Sequence, residues 1–355
     1  MLMLSKVMLI GDLHFGAKKD SPEFQQSILR FIDWTINLAN EKNVTHCVQM
    51  GDFFDSRNSV NVNTVNCAID GAKKLSDAFG KENFFILMGN HDLFHLHRLD
   101  VSSLAMLEPY ATIVNDLACI IDDSILAAPW IIDHEMWDLV VEGSKEFKYL
   151  FGHLELNGFL VNDRYAMEHG YSHKELKRYK KVITGHYHSP QKKDNVQYVG
   201  TPYPITMSDA NEEHGVWMFT PDDDKLEFIE YTGSRAISIS LEQYLENGTE
   251  DGLDEYDPAT TDIRIEFPDD LEDETLLESI RKELEDQGFR EVKIKYRGNK
   301  AKEIMEQDVD EIEAVDNIDA LVLSYIEKSS PVSGVNKEKL KELYEKSIGY
   351  GDDQV

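Results

Sequence analysis

Residues 181–190 read KVITGHYHSP. Val182 and Ile183 look like the end of a buried strand, Gly185 follows, and His186 and His188 then sit one residue apart, so in an extended chain they point the same way. A histidine pair facing solvent would need no partner. The run is one of five with the same form. KVMLIGD (6–12), HCVQMGD (46–52), FFILMGN (84–90), KYLFGH (148–153) and KVITGH (181–186) each carry a short apolar stretch into a glycine and then into a side chain able to bind a metal.

Between the first two runs, PEFQQSILRFIDWTINLANEKN (22–43) places Ile28, Phe31, Ile32, Ile36 and Leu38 at helical spacing, and VNTVNCAIDGAKKLSDAF (62–79) does the same before the third. Strands alternating with helices predict an α/β architecture whose sites lie beyond the carboxyl ends of the strands. Glycine at those ends lets the chain turn sharply and approach a ligand closely. The histidines of the set are expected to line one rim of one sheet.

The 355 residues suffice for two or three domains. With 36 Lys and Arg against 67 Asp and Glu the net charge is −31, which by itself opposes a polyanionic partner such as DNA. Cys47, Cys67 and Cys119 form no Cys-X-X-Cys, so neither a disulfide framework nor a thiolate zinc site is indicated, and a reducing compartment fits. The apolar start MLMLSKVMLIG is broken by Lys6 and shows no small-residue cleavage site, so it reads as a first strand. No run is long enough for a membrane span, and the expected location is the cytoplasm.

Downstream, GVWMFTPDDDKLEFIEY (215–231) reads as a hairpin turning at Pro221 and the aspartates. Between Ser240 and Asp319 there are 27 acidic and 9 basic residues, so this stretch carries a net charge of −18, and solvation explains it better than a binding face. Within it TDIRIEF, ETLLESIRKELEDQG and REVKIKYRG predict strand, helix and strand. The domains expected are therefore 1–235, a small acidic α/β domain at 236–298, a charged linker at 299–315 and two amphipathic helices within 316–355. Ile318, Leu321, Val322, Tyr325 and Ile326 share one face of the first helix, and Leu340, Leu343 and Tyr344 one face of the second. The polar linker before them favours docking on a partner over packing on the chain's own core.

The strand ends supply Asp12 and His14 from GDLH, Asp52 and Asp55 from GDFFD, Asn90 and His91 from GNHD, His153 from GHLE, and His186 and His188 from GHYH. Aspartate, asparagine amide and neutral imidazole together suit borderline cations such as Mn²⁺, Fe²⁺ or Zn²⁺ better than Mg²⁺. These candidate ligands are too many for one tetrahedral ion and suit two ions sharing a carboxylate, an arrangement that clamps both oxygens of an in-line displacement at phosphorus.

These motifs resemble those of the calcineurin-like metallophosphoesterases, and more narrowly the SbcD-type double-strand-break-repair nucleases of the meiotic-recombination-eleven family. The resemblance covers residues 1 to 235 and holds only in outline beyond. It implies a metallophosphoesterase β-sandwich flanked by helices, with a small α/β capping domain and C-terminal helices. It further implies that Asp12, His14 and His188 hold one metal and Asn90, His153 and His186 the other, with Asp52 bridging and Mn²⁺ as the expected ion. His91 is similar to the family's histidine facing the scissile phosphate, and Asp55 stands where relatives place a carboxylate partner for it, although many of the nucleases have histidine there.

The implied activity is exonuclease and single-strand endonuclease action on DNA in repair and recombination. The implied partner is an SbcC-type ABC ATPase with coiled coils, in a two-plus-two complex built on a homodimer. Small size and acidity fit a bacteriophage version. Phosphoprotein phosphatases of the superfamily usually read Gly-Asp-X-X-Asp-Arg-Gly and Gly-Asn-His-Glu, whereas this chain reads GDFFDSR and GNHD. A small-molecule phosphodiesterase would have little use for the extra domain and tail, and the complete ligand set argues against a silent structural subunit. Arg57, His95, Arg98 and Arg164 are the candidate DNA contacts. His46, His134, His169, His173 and His214 lie outside the motifs and are expected at the surface or in structural roles.

Overall fold

The structure is a computed structural model that describes residues 6–296, apart from 122–123, 144–146, 163–164, 248–252, 254–255 and 269–273, together with Lys339. The chain divides into two units, Met1–Gly298 and Asn299–Val355, and of the second only Lys339 is described, in helical conformation. The linker at 299–315, the partner-facing positions Ile318, Leu321, Val322, Tyr325, Leu340, Leu343 and Tyr344, and Arg164 lie outside the described residues.

In chain order the strands are β1 (Val7–Ile10), β2 (His46–Gln49), β3 (Phe84–Leu87), β4 (Thr112–Val114), β5 (Ala118–Ile120) and β6 (Ile125–Ala128). They continue with β7 (Tyr149–His153), β8 (Leu160–Asn162), β9 (Tyr165–Ala166), β10 (Lys181–Gly185), β11 (Gln191–Lys193) and β12 (Val196–Tyr198). The last are β13 (Gly215–Thr220), β14 (Lys225–Glu230), β15 (Arg235–Ser240), β16 (Thr261–Phe267) and β17 (Glu291–Tyr296). One six-stranded sheet has the order β14-β13-β1-β2-β3-β4 and a second the order β11-β12-β10-β7-β6-β5. β1 to β4 run parallel, as do β12, β10, β7 and β6, so the carboxyl ends of the central strands in each sheet share one edge.

Alternation along β1 shows how the layers stack. Val7 and Leu9 face the second sheet and pack with Val48, Phe85, Phe151 and Ile183. Met8 and Ile10 face the other way, onto Ile28, Phe31, Ala68 and Leu75 of the helices Pro22–Lys42 and Val62–Phe79. Across the second sheet, Leu150 and Val182 pack on Met136, Trp137 and Val140 of the helix His134–Glu142. The result is a β-sandwich flanked by helices. Strands buried on both faces read as unbroken apolar runs, which is why the motif strands carry no polar alternation.

The helix Pro22–Lys42 starts where Ser21 Oγ accepts from the Phe24 N–H (3.3 Å), with proline in the first turn, and stops at left-handed Asn43 (φ 55). The expected hairpin is β13 and β14, in which Thr220 pairs with Lys225 across a turn containing left-handed Asp224 (φ 54). Beyond it β15, β16 and β17 form a parallel sheet with the helix Glu274–Asp286. This sheet has its own core of Ile237, Tyr244, Ile263, Ile265, Phe267 and Leu284. No helix among the described residues is long and apolar enough to cross a membrane.

Gly11 ends β1 against the backbone of Gly200, and a Cβ there would collide with the Gly200 carbonyl oxygen. Gly11→Ala should therefore cost about 1–3 kcal/mol, read as a lower urea midpoint with an unchanged slope. A variant as stable as the parent would show that this approach is not constrained.

Candidate metal centre

The expected single rim is in fact two. Asp12, His14, Asp52, Asp55, Asn90 and His91 follow β1, β2 and β3 of the first sheet, whereas His153, His186 and His188 come from β7 and β10 of the second. The turns interlock through the backbone: the N–H groups of Leu13 and His14 both donate to the Asp52 carbonyl at 3.1 Å. Three of these residues sit in the sterically costly positive-φ region, His14 (φ 48), Asp52 (φ 53) and His186 (φ 96). Gly51 (φ 105) lies so close to the His153 ring that any Cβ would strike it.

Asp12, His14 and His188 bring one ligand atom each within 4.8 Å of one another, and so do Asp52, His153 and His186. Asn90 joins the second group, its Oδ1 lying 3.0 Å from His153 Nε2 and 3.1 Å from His186 Nδ1. His153 Nδ1 faces the Met50 carbonyl at 2.8 Å, which assigns it the ring proton and leaves a lone pair on Nε2 of the neutral ring. That lone pair meets Asp52 Oδ2 at 3.2 Å and Asn90 Oδ1 at 3.0 Å. Acceptor atoms converging in a buried space require a cation or a proton between them. In the first group His14 Nε2 is buried with no hydrogen-bond partner, an omission that calls for a ligand. Both donor sets fit borderline divalent cations.

Asp55 and His91 meet differently from the expectation. His91 Nδ1 lies 2.6 Å from the Asp55 main-chain carbonyl, while the Asp55 carboxylate turns to His14, with Oδ1 3.1 Å from Nδ1, near enough for an ion pair though out of line for a hydrogen bond. The reason is backbone pinning: the Asp55 N–H donates to the Phe15 carbonyl at 3.0 Å, and Phe54 bridges Phe15. With the main chain so held, the carbonyl faces the His91 ring and the side chain folds back toward His14. The carboxylate thus lies beside the ring of a proposed ligand, His14, rather than beside His91.

Burial dominates the electrostatics. It pushes Asp12 up to about 6, with His153 opposing and Asp52 adding, while the His186 N–H donates to Asp12 Oδ2 at 3.0 Å. Burial would also raise Asp52, but His153 and His91 hold it well below the usual carboxylate range. For His153 burial works against the charged form, yet Asp52 and Asp12 outweigh it and carry the ring up to about 9. Burial likewise works to raise Asp55, and His14, His91 and His188 bring it below its ordinary value.

Two carboxylates were missed from sequence. Asp92 is the last residue of GNHD, so its signal was inside a quoted motif. Its Oδ1 accepts from the Phe54 N–H and its Oδ2 from the Gly89 N–H, both at 3.0 Å, which staples the second and third turns together. Burial, helped by the charge of Asp52, pushes it up to about 7. Asp209 has no local signal. Its Oδ1 stands 3.7 Å from His188 Nδ1, and Oδ2 accepts from the N–H groups of Ile205 and Thr206 at 2.8 Å. Burial opposes its ionisation, but His188 holds it at about 2.

Among the candidate DNA contacts, Arg57 is half-buried two residues past Asp55, and half-buried His95 meets exposed Phe94 edge-on at 4.6 Å. Arg98 is exposed and forked on Asp100 (3.1 and 2.6 Å), so a phosphate would have to displace that carboxylate. His214 is buried between the carbonyls of Thr201 and Asp209 (3.1 and 3.2 Å), a structural place.

A model of the calcineurin-like phosphoesterase family matches residues 5–190, the span that carries Asp12, His14, Asp52, Asn90, His153, His186 and His188. The chain is 30% identical over 234 residues to exonuclease subunit 1 of enterobacteria phage T4, covering 63% of this chain and 67% of that one. A dimetal phosphatase from Danio rerio aligns at 12% identity with a TM-score of 0.38, over 61% of this chain and 92% of its own, a likeness too slight to carry an argument.

Protons and metal ions compete for these groups. Near neutral pH, Asp12 at about 6 is already mostly ionised, whereas His153 at about 9 keeps the proton that an ion must displace. Divalent-ion loading at pH 7 should therefore release close to one proton from His153. Affinity should rise as pH climbs toward about 9 and fall steeply below about 6, where Asp12 also protonates. Calorimetric titrations in buffers of different ionisation enthalpy count the protons. Loading that is indifferent to pH across this window would contradict the arrangement.

Proposed function

The chain belongs to the calcineurin-like phosphoesterase family, whose members work with divalent metals, and from that premise we propose that it is a two-metal DNA nuclease of the SbcD type. The observation that carries this reading is the pair of clusters formed between the rims of the two sheets, Asp12 with His14 and His188, and Asp52 with His153, His186 and Asn90. In the proposed assignment the first trio would hold one ion, Asn90, His153 and His186 would hold the other, and Asp52 would be shared by both. Imidazole-rich coordination favours Mn²⁺ over Mg²⁺. When bound, such ions supply Lewis-acid stabilisation of the phosphoryl oxygens and acidify a water enough to make it a nucleophile.

The chain's own residues do the rest. His91 is the proposed acid: its Nδ1 is committed to the Asp55 carbonyl, so Nε2 is the atom through which the ring delivers a proton to the leaving oxygen. Asp55 holds His14 in place, and Asp209 stands behind His188.

The printed name of the T4 relative, an exonuclease subunit, supports both a nucleic-acid substrate and a second subunit. We assign that role to an SbcC-type ABC ATPase, with residues 1–235 as the nuclease domain, 236–298 as a capping domain, 299–315 as a linker and 316–355 as the docking helices. A homodimer within a two-plus-two complex and the cytoplasm of a phage-infected host complete the reading. The charge fits: at −31 the chain repels DNA, and a basic partner would supply the phosphate contacts on which affinity depends.

Purified protein should cut linear duplex and circular single-stranded DNA with Mn²⁺ and poorly with Mg²⁺ alone. Asp52→Ala and His186→Ala should abolish cutting and keep the fold. His91→Ala should lose about 10²- to 10⁴-fold in rate while retaining its metal content by elemental analysis. Full activity of Asp52→Ala would overturn the reading. Removal of residues 316–355 should spare Mn²⁺-dependent cleavage of short single strands and abolish co-purification with the ATPase, and undiminished co-purification would place the interface elsewhere.

A further inference from the structure

The turn after His14 adopts a backbone that its residues resist. Lys18 (φ 54), Lys19 (φ 58) and Asp20 (φ 57) are left-handed in succession, after Gly16 (φ 107) and His14 (φ 48). Left-handed helical backbone crowds an L-residue's Cβ against the following carbonyl oxygen and is sterically costly. Aspartate tolerates this region, but two consecutive lysines do not, and such a turn persists only where its surroundings over-determine it.

Two anchors do so. On the side of the sandwich, Asp20 Oδ1 accepts from Thr64 Oγ1 at 2.5 Å. On the other side Lys18 Nζ reaches the small sheet, 2.5 Å from Asp262 Oδ2 on β16 and 3.3 Å from Glu291 Oε2 on β17. Asp262 is buried at 1% exposure, so its charge must be matched in place. Arg290 matches it from within the small domain, through Nε to Oδ1 at 2.6 Å and NH2 to Oδ2 at 2.8 Å, with NH1 on Ser234 Oγ at 3.0 Å. The second cation on this carboxylate is the one carried by the strained turn. From there the path to the metal cluster is short, because the Ala17 N–H donates to the His14 carbonyl at 3.0 Å and the Ser21 N–H closes the turn on the Lys18 carbonyl at 3.2 Å.

We propose that Lys18 and Asp262 are positioning residues: the small domain clamps the strained turn through this pair, and the clamp sets His14 for the Asp12–His14–His188 cluster. The proposal rests on the two-ion reading above and adds an asymmetry to it. A contact that only docked one domain on the other would alter stability and leave the two clusters alike. A clamp on the His14 turn weakens one cluster and spares the other, since neither Asn90, His153 nor His186 lies on that turn.

The test is Mn²⁺ titration of the full chain by calorimetry, with amide hydrogen exchange read over residues 14–21. Lys18→Met leaves Asp262 paired with Arg290, so no buried charge is orphaned. It should weaken about 10- to 100-fold only that binding event which His188→Ala removes, the range expected when an outer-shell partner is lost. Exchange across the turn should quicken, and Lys18→Arg should restore both. Should Lys18→Met fail to fold, Asp262→Asn decides between the same outcomes. Two binding events unchanged in affinity, or two weakened equally, would overturn the proposal while the two-ion reading stands. A parent chain that binds no Mn²⁺ would overturn that reading itself.

Discussion

Asp52 ties three turns and both sheets together. Its carbonyl accepts from Leu13 and His14, its Oδ1 accepts from the His91 N–H at 2.8 Å, and its Oδ2 faces His153 Nε2 at 3.2 Å. A carboxylate this deeply buried must have every lone pair answered, and here the answering groups are the motif turns themselves. The ends of β1, β3 and β7 are thereby drawn to one place. The left-handed backbone of Asp52 and the absence of room for a Cβ at Gly89, which lies against its carboxylate, follow from the same constraint.

Around Asp52 the buried charges come in opposed sets. Asp12, Asp52 and Asp55 face His14, His91, His153 and His188, and the imidazoles oppose the upward push of burial on these carboxylates. Asp52 and Asp12 together outweigh burial at His153 and carry its ring up to about 9. The same balance separates the site from the chain's overall acidity. Most of the negative excess lies past residue 240, while the rim is compensated locally. Asp262 shows the principle again at the small sheet, where a buried carboxylate is matched by Arg290 and, from the turn after β1, by Lys18.

Strain lies where the chemistry is. His14, Asp52 and His186 are held at positive φ by hydrogen bonds from neighbouring turns, and Lys18 to Asp20 by Thr64 and Asp262. Such backbone stores free energy that a well-packed scaffold must offset, and the sandwich does so with Phe151, Ile183 and Leu9 fully buried between its sheets.

The sequence by itself determined the five motif strands, the two helices between the first three of them and the candidate ligands that follow those strands. The helix Val62–Phe79 spans the same residues as its apolar periodicity, because that signal is local, and each candidate ligand could be named because it follows a strand and a glycine. Only the tertiary structure decided which motif strands fall in which of the two sheets, since strands buried on both faces look alike in sequence. It also decided that the Asp55 carboxylate meets His14 while its carbonyl meets His91, because a backbone pinned by Phe15 chooses which atom faces which ring. Asp209 behind His188, and Lys18 on Asp262, are pairs brought together across the fold. Partners that far apart in the chain share no periodicity or motif, and only the closing of the layers puts their charges within reach of each other.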